Sequence, residues 1–271
     1  MQALPGFVSV VEGGPVEDSP EAVTIDLVDR LVHAGLKDIE VGKSAAIIAK
    51  LPHENELHFP IGVTDLATME QALKEEVREI TVDIAASENL SHRTYDCSIE
   101  NSLRRLEPVA LLAAEHGVRL RGRIDGVIAS RRDGPVAPEN VTDLCSEMAN
   151  LGCFEVCLAD SAGNARPGAL GRLWDSCAAR IGPDRLALRL NNSRGLALSC
   201  LRPLLEQGLQ TIDTTIGGFD GTVATEDVVV FLTSLDIGTG VDIQRLSTTA
   251  WWYGSKLGRP PAGRNAHGIN S

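Results

Sequence analysis

The sequence of 271 residues is poor in aromatic side chains, which make up 4% of it. The hydrophobic core must therefore rest on Val, Ile, Leu and Ala. Such aliphatic residues dominate the interior layers of closed parallel barrels. Basic residues are also scarce, with 25 against 37 acidic ones and a net charge of −12. Because nucleic acids and anionic membranes both attract a basic face, we expect neither as a partner.

Long apolar runs are missing as well, since none approaches the roughly 20 residues that span a bilayer. The opening stretch, MQALPGFVSVVEGG, has no basic segment followed by a long apolar one, so it does not resemble a secretory signal. We therefore expect a cytoplasmic protein. Six cysteines are scattered along the chain, and Cys153 and Cys157 stand in the strand-like GCFEVCLAD. This arrangement favours buried free thiols over a zinc site.

Eight short apolar runs rich in β-branched residues alternate with stretches of helical periodicity. The runs predict strands at 7–11, 37–41, 58–63, 79–84, 118–125, 154–159, 186–190 and 211–215. Helices are predicted at 21–36 and 97–117, with others beginning at Pro138, Pro167, Gly195 and Thr225. Eight such units predict an α/β fold, a closed (β/α)8 TIM barrel. An open nucleotide-binding sheet is the weaker choice because no Gly-rich phosphate loop is present.

The predicted domain organisation depends on whether a linker interrupts the alternation of strands and helices. No low-complexity linker divides the chain, so residues 1–271 are predicted to form one domain. An extra helix is predicted at 243–257, after the eighth unit. The polar, Pro- and Gly-rich stretch GRPPAGRNAHGINS, residues 258–271, is expected to be a loose tail.

Polar residues cluster where the predicted strands end, and in TIM barrels the active site lies at the C-terminal ends of the strands. Burying polar groups without partners is costly, so these residues form either a functional site or a structural ion-pair network. Both interpretations stay open. The set comprises Glu12, Glu17, Glu40, Lys43, Ser87, Glu88, Arg121, Arg123, Asp125, Asp160, Ser161, Arg189, Asn191, Asn192 and Thr215.

An ordered set of segments resembles the hydroxymethylglutaryl-CoA lyase family of metal-dependent TIM-barrel lyases and aldolases. The segments are IDLVDRLVHAGLKDIEVG, AASENL followed by DCSIENSLRR, VRLRGRID, LGCFEVCLADSAGNARPG and VATEDVVVFLTSLDIGTGVDIQRL. They keep the family's order and cover nearly the whole chain. The resemblance implies the barrel fold and carbon–carbon bond cleavage.

The positions that carry the family's chemistry are replaced here. The family's arginine–aspartate pair after the first strand is matched by Val16 and Glu17. Arg189 and Asn191 stand in place of the two histidines that complete the family's metal site, and Thr222 replaces its asparagine ligand. The loop that carries the family's catalytic cysteine is matched by the shorter IGGFDGT, which has no cysteine. Glu40, Ser87, Arg121 and Asp160 do match polar positions near the family's site.

These replacements argue against the family's metal. An arginine has no lone pair to offer and repels a dication, although Glu17 retains a hard oxygen ligand. We therefore predict no metal and no other cofactor, and a divalent Mg²⁺ or Mn²⁺ ion is the alternative.

Several cationic side chains are predicted near the positions that match the family's metal site. Lys43, Arg123 and Arg189 give the predicted pocket a surplus of positive charge. Arg189 either fills the metal position and pairs with Glu17 and Asp160, or recognises an anionic substrate and stabilises an enolate. Lys43 adds the option of a Schiff base. The predicted catalytic residues are Glu40, Lys43, Arg121, Asp160 and Arg189; the predicted substrate-binding residues are Glu17, Ser87, Arg123, Asn191 and Asn192.

Two functional hypotheses follow. In the first, the protein is a carbon–carbon lyase or aldolase that acts on a small anionic acid or an acyl-CoA thioester without the family's metal site. In the second, it is a catalytically inactive homologue that serves as a ligand-binding or regulatory partner. The oligomeric state stays open, and pairing of two copies through outer helices is one option.

Overall fold

The computed structural model describes residues 4–15, 19–130 and 134–267. Eight parallel strands of these residues, numbered β1 to β8 in chain order with the bounds given below, form one sheet in the order β2-β1-β8-β7-β6-β5-β4-β3. Backbone hydrogen bonds from Ile39 N to His58 O (2.9 Å) and from Val41 N to Pro60 O (3.1 Å) join β2 to the residues that lead into β3. These bonds close the sheet, and the predicted TIM barrel is confirmed. The strands are β1 (Ser9–Glu12), β2 (Asp38–Ile39), β3 (Ile61–Gly62), β4 (Glu79–Ala85), β5 (Arg119–Asp125), β6 (Glu155–Asp160), β7 (Leu186–Leu190) and β8 (Thr211–Thr214).

Helices connect the strands around the outside of the barrel. A 3-10 turn, Ala45–Lys50, stands in place of an α-helix after β2, and two helices rather than one follow β4. A short antiparallel ribbon, Ala129–Ser130 with Gly134–Pro135, projects after β5. No helix among the described residues is long and apolar enough to cross a membrane. The helices are α1 (Glu21–His33), α2 (Leu66–Lys74), α3 (Glu88–Tyr95), α4 (Ile99–Glu115), α5 (Pro138–Asn150), α6 (Pro167–Ile181), α7 (Ala197–Glu206), α8 (Thr225–Thr233) and α9 (Ile243–Leu257).

The barrel interior is ionic, and the expectation of aliphatic interior layers is wrong. Successive side chains of a strand point to opposite faces. On β5, Leu120 and Ile124 belong to the hydrophobic core between strands and helices, whereas Arg121 forms buried ion pairs and Arg123 forms partly buried ones inside the barrel. The aliphatic residues are needed where the helices pack against the sheet. The barrel interior therefore contains charged side chains that neutralise one another in ion pairs.

The C-terminal segment also differs from expectation. The extra helix is confirmed as α9, but residues 258–267 are packed against the barrel rather than loose. Ala262 N donates a hydrogen bond to Gly217 O at 2.7 Å, Ala266 is buried, and a 3-10 turn spans Arg264–His267. The Asp227 carboxylate holds the segment through backbone amides, which composition alone does not reveal. Residues 268–271 lie outside the described residues.

Candidate active site

A polar cavity of about 290 Å³ opens at the C-terminal ends of the strands. It lies where TIM barrels carry their active sites. Its wall is formed by residues of β4 to β7, by residues that follow β1, β2, β6, β7 and β8, and by Tyr95 at the end of α3. The lining residues are Gly13, Glu40, Asp83, Tyr95, Arg123, Asp125, Ala159, Asp160, Ser161, Arg189, Asn191, Asp220 and Thr222.

One wall of the cavity is a fixed ion-pair cluster around Arg123. Its guanidinium donates to Asp83 through Nε (2.7 Å) and Nη2 (3.1 Å), and to Glu40 through Nη1 (3.0 Å). Planar guanidinium groups match carboxylates in this paired geometry. Two carboxylates thus engage Arg123, which orients the cluster and leaves this cation little capacity for a substrate.

Arg189, near the end of β7, also lines the cavity. Its Nη2 donates to Asp220 at 2.7 Å, while its Nη1 is buried and has no hydrogen-bond partner among the described residues. A side chain on Gly13 would place a Cβ 2.6 Å from that Nη1, so the missing side chain makes room for it. Arg189 therefore has one donor group held in place and another available to a ligand.

Asp220 is held by several donors besides Arg189. Its carboxylate accepts from Thr215 Oγ1 at 2.7 Å, from Thr222 N at 2.9 Å and from Thr222 Oγ1 at 3.0 Å. Burial opposes its ionisation, but Arg189 and these hydrogen bonds outweigh burial, and the pKa of Asp220 lies below its usual value. Asp220 is thus a stable anion that orients Arg189.

Asp160, the last residue of β6, supplies the available acceptor of the site. Its Oδ2 accepts from Ala165 N at 2.6 Å, while its buried Oδ1 has no hydrogen-bond partner among the described residues. Leaving a buried carboxylate oxygen without a donor is costly. A ligand that donates a hydrogen bond to Asp160 would remove that cost.

Two further groups in the cavity have raised pKa values. Burial raises the pKa of the Tyr95 phenol well above its usual value, and the nearby Asp83 and Asp125 charges raise it further. Burial also raises the pKa of Asp125. Tyr95 is therefore a phenol at neutral pH and can donate a proton.

Arg121 lies below this cavity rather than in its wall. Its guanidinium donates to Glu155 at 2.7 Å and to Asp213 at 2.7 and 2.9 Å. The side chain is 3% exposed, and the cavity that it lines, with Ser9 and Asp38, lies at the N-terminal end of the barrel. The structure therefore places this predicted catalytic residue in a buried ion-pair network.

The other predicted residues divide between the cavity and its surroundings. Glu40, Arg123, Asp160, Arg189 and Asn191 line the cavity, but Lys43 is exposed and does not line it.

Two of the predicted substrate-binding residues hold helix ends. Ser87 Oγ accepts from Leu90 N at the start of α3. Asn192 Oδ1 accepts from Ala197 N at the start of α7. Glu17 and the neighbouring Val16 lie outside the described residues.

The charge of the cavity is the reverse of the expected surplus of cations. Among its described lining residues, two guanidiniums (Arg123 and Arg189) face five carboxylates, those of Glu40, Asp83, Asp125, Asp160 and Asp220. The strand-end arginines were visible in the sequence, but the carboxylates that surround them come from separate strands and loops. The expectation of excess positive charge in this pocket is wrong for the described part of the chain.

The residues present do not fit the divalent metal that the resemblance implies. Nowhere in the described ranges do three His, Cys, Asp or Glu side chains come together as a metal site. The resemblance matches Arg189 to one of the family's ligand positions, and a guanidinium offers no lone pair. Asn191 Oδ1, at the other, accepts from Ser193 N at 2.9 Å. We therefore derive no chemical step through a metal.

Sequence reasoning missed three residues of the site. Asp83 shares a face with Glu79 in the alternating strand EITVDIA, so a period of two could have selected it. Tyr95 ends α3, and Asp220 lies in the loop after β8. Neither carries a local signal, because only the closed barrel brings them to the cavity.

Comparison with known proteins identifies a matching family model, relatives of similar sequence and a solved structure of similar fold. A family model described as HMGL-like matches residues 19–251. The 3-hydroxy-3-isohexenylglutaryl-CoA/hydroxy-methylglutaryl-CoA lyase of Pseudomonas aeruginosa is 34% identical over 98% of this chain and 98% of its own length. The mitochondrial hydroxymethylglutaryl-CoA lyase of Arabidopsis thaliana is 30% identical over 99% of this chain, which spans 64% of that protein. The crystal structure of hydroxymethylglutaryl-CoA lyase from Pseudomonas aeruginosa superposes with a TM-score of 0.92 at 34% identity, covering 97% of each chain.

Proposed function

Since the chain belongs to the HMGL-like family of hydroxymethylglutaryl-CoA lyase-like proteins, we propose that it cleaves a carbon–carbon bond in a 3-hydroxyacyl thioester without a divalent metal. The observation that carries the proposal is a pair of buried polar atoms without a hydrogen-bond partner among the described residues, Arg189 Nη1 and Asp160 Oδ1, on two residues that line one cavity. One is a donor and the other an acceptor. A β-hydroxy carbonyl compound offers the complementary pair, a carbonyl oxygen and a hydroxyl group.

The reaction is a retro-aldol cleavage. Asp160 takes the proton of the 3-hydroxyl, whose O–H electron pair forms the new carbonyl. The bond between C2 and C3 breaks, and its electron pair becomes an enolate whose oxygen lies against Arg189 Nη1. A fixed cation at the developing oxyanion lowers the barrier by electrostatic stabilisation. Tyr95 then donates its proton to C2, and the proton held by Asp160 returns to the tyrosinate.

The charge of the cavity favours a thioester over a small anionic acid. A second carboxylate would enter a space already lined by five acidic side chains, where two of them already engage Arg123. Like charges at short range repel one another in a partly buried site. The reacting end of a 3-hydroxyacyl thioester without a further carboxylate is uncharged, and its carbonyl oxygen becomes negative only as the bond breaks.

A purely structural partner would have strand ends that close into ion pairs, whereas an inactive ligand-binding barrel would keep its pocket. Arg123 pairs with Glu40 and Asp83, yet the cavity persists, and a polar atom on each of two lining residues has no hydrogen-bond partner among the described residues. This combination favours a site that takes a ligand, and turnover decides between catalysis and binding.

The purified protein is incubated with 3-hydroxyacyl-CoA thioesters of several chain lengths in the presence of EDTA, and products are measured by mass spectrometry. 3-Hydroxy-3-methylglutaryl-CoA, whose acyl group carries a carboxylate, is included and should be the poorer substrate. We expect cleavage that EDTA does not abolish. Asp160→Asn should lower kcat by about 10²–10⁴-fold as a lost general base. Arg189→Gln should lower it by about 10²–10³-fold as a lost oxyanion donor.

Matched controls come from an exposed ion pair on the outer helices, Asp143 with Arg180. Asp143→Asn and Arg180→Gln should retain full activity. Binding of a thioester without turnover in the unmodified protein would favour the inactive homologue. Activity that requires added Mn²⁺ or Mg²⁺ would overturn the metal-free reaction.

A further inference from the structure

The C-terminal segment 258–267, which we call the strap, lies beyond the region that the family model matches, residues 19–251. It crosses from the end of α9 to the turn that follows β8. Ala262 N and Gly263 N both donate to Gly217 O, at 2.7 and 3.3 Å. The strap thus binds the backbone of the turn Ile216–Gly218 directly.

Groups on several sides of this turn fix its backbone. Gly217 and Gly218 both have positive φ (65° and 62°), a conformation that costs glycine little and other residues more. Ile216 N donates to Glu12 at 2.6 Å, and Gly217 N donates to Glu226 at 2.9 Å. Carboxyl groups therefore fix its amides while the strap fixes its carbonyl.

The aromatic residue next to the turn ties it to α9 and to the strap. The Phe219 ring packs edge-on against Tyr253, with centroids 5.5 Å apart. The Arg259 guanidinium lies 5.5 Å from the Phe219 ring centroid. The residue that follows Phe219 is Asp220, the partner of Arg189.

Asp227, at the start of α8, anchors the strap. Its carboxylate accepts from Arg264 N at 3.2 Å, from Asn265 N at 2.9 Å and from Asn265 Nδ2 at 2.9 Å. Asp227 is 5% exposed, so water competes little for these hydrogen bonds. It does not line the cavity.

We infer that the strap is a positioning element of the active site and that Asp227 is the positioning residue that fixes it. The strap holds the turn after β8, the turn places Asp220, and Asp220 orients Arg189. The catalytic consequence rests on the proposed function, whereas the mechanical link from Asp227 to the turn does not.

Hydrogen–deuterium exchange of the full-length chain tests the link without any substrate. In Asp227→Ala, amides of residues 215–223 should exchange about tenfold faster or more, because local opening then breaks fewer bonds. Amides of α4, on another side of the barrel, should keep their rates. Asp227→Asn retains one acceptor oxygen and should restore most of the protection, and Asp143→Ala is the matched exposed control.

Unchanged exchange at 215–223 in Asp227→Ala would overturn the inference, as would a uniform increase over the whole chain that Asp227→Asn does not reverse. If the unmodified protein cleaves the thioester, Asp227→Ala should lower kcat more than it changes KM, and Asp227→Asn should recover kcat. If the unmodified protein does not cleave it, the proposed function fails and the exchange result still decides the role of the strap.

Discussion

Two buried glutamates beside the turn after β8 show how burial changes the pKa of a single side chain. Burial raises the pKa of Glu12 to about 8 and that of Glu226 to about 7. Glu12 still accepts hydrogen bonds from Ile216 N and Thr225 Oγ1, each at 2.6 Å, but these do not offset the loss of water. Both carboxyl groups therefore bind protons more tightly in the folded protein than in the unfolded chain.

Glu12→Gln should flatten the dependence of stability on pH. Below pH 4.5 both folded and unfolded states carry the proton, and the contribution of Glu12 is fully present. From there to about pH 8 only the folded state keeps it, so the free energy of unfolding falls with rising pH, by at most about 1.4 kcal/mol per pH unit for this group. Urea denaturation at pH 5.5, 7 and 8 measures the slope.

Glutamine retains the acceptor for Ile216 N but does not titrate, so the Glu12→Gln protein should lose stability less steeply over this range. Glu139, exposed on α5, gives the control variant Glu139→Gln, which should keep the slope of the unmodified protein. Equal slopes for Glu12→Gln and the unmodified protein would show that Glu12 is ionised in both states.

In strand β5, Arg119, Arg121 and Arg123 occupy alternate positions of the segment RLRGRID, so their side chains lie on one face of the strand. Each arginine meets carboxylates from other strands: Arg119 meets Glu79, Arg121 meets Glu155 and Asp213, and Arg123 meets Glu40 and Asp83. Successive arginines of this strand therefore have different roles. Arg123 shapes the cavity, whereas Arg121 neutralises charge deep in the barrel.

Arg121→Gln should destabilise the protein by about 3–5 kcal/mol, because it leaves the buried carboxylates of Glu155 and Asp213 without their cation. Arg121 holds the pKa of Asp213 low against the effect of burial, so its loss exposes the full desolvation cost. Arg180→Gln removes an ion pair that is more than half exposed and should cost about 1 kcal/mol or less. Equilibrium urea unfolding compares the two variants. A stable Arg121→Gln protein that has lost only its activity would support the catalytic role predicted from the sequence.

The whole molecule buries all six of its cysteines as free thiols, as the sequence led us to expect. They lie in different units, from Cys97 before α4 to Cys200 in α7. Access to all of them therefore requires the barrel to open as a whole. Burial also raises the pKa values of Cys153, Cys157 and Cys200, which lowers their thiolate content further.

Thiol labelling should consequently report global unfolding. A disulfide reagent that releases a coloured thiolate should modify no cysteine within minutes in native buffer and all six in concentrated urea. Thiolates are the reactive species, and buried thiols are inert. A cysteine that reacts rapidly in native buffer would indicate local opening of its helix or strand.

Much of the fold could be predicted because local patterns encode it. Alternation of β-branched runs with amphipathic stretches specified eight strands and their parallel connections. The helix Ile243–Leu257 matched its predicted bounds. Boundaries were less accurate for β2 and β3, which pair over only two residues each, since their ends depend on barrel closure rather than on propensity.

The sequence by itself determined the barrel, through local periodicity, and the family, through the order of its resembling segments. The replacement of the family's ligand positions by Arg189, Asn191 and Thr222 stays a prediction from that resemblance. Only the tertiary structure decided which charges meet. Asp220 rather than Asp160 contacts Arg189, Arg121 points away from the cavity, and Asp227 anchors a segment about 40 residues further along the chain. Coulomb energy and desolvation depend on distance and burial in space, and neither can be read from separation along the chain.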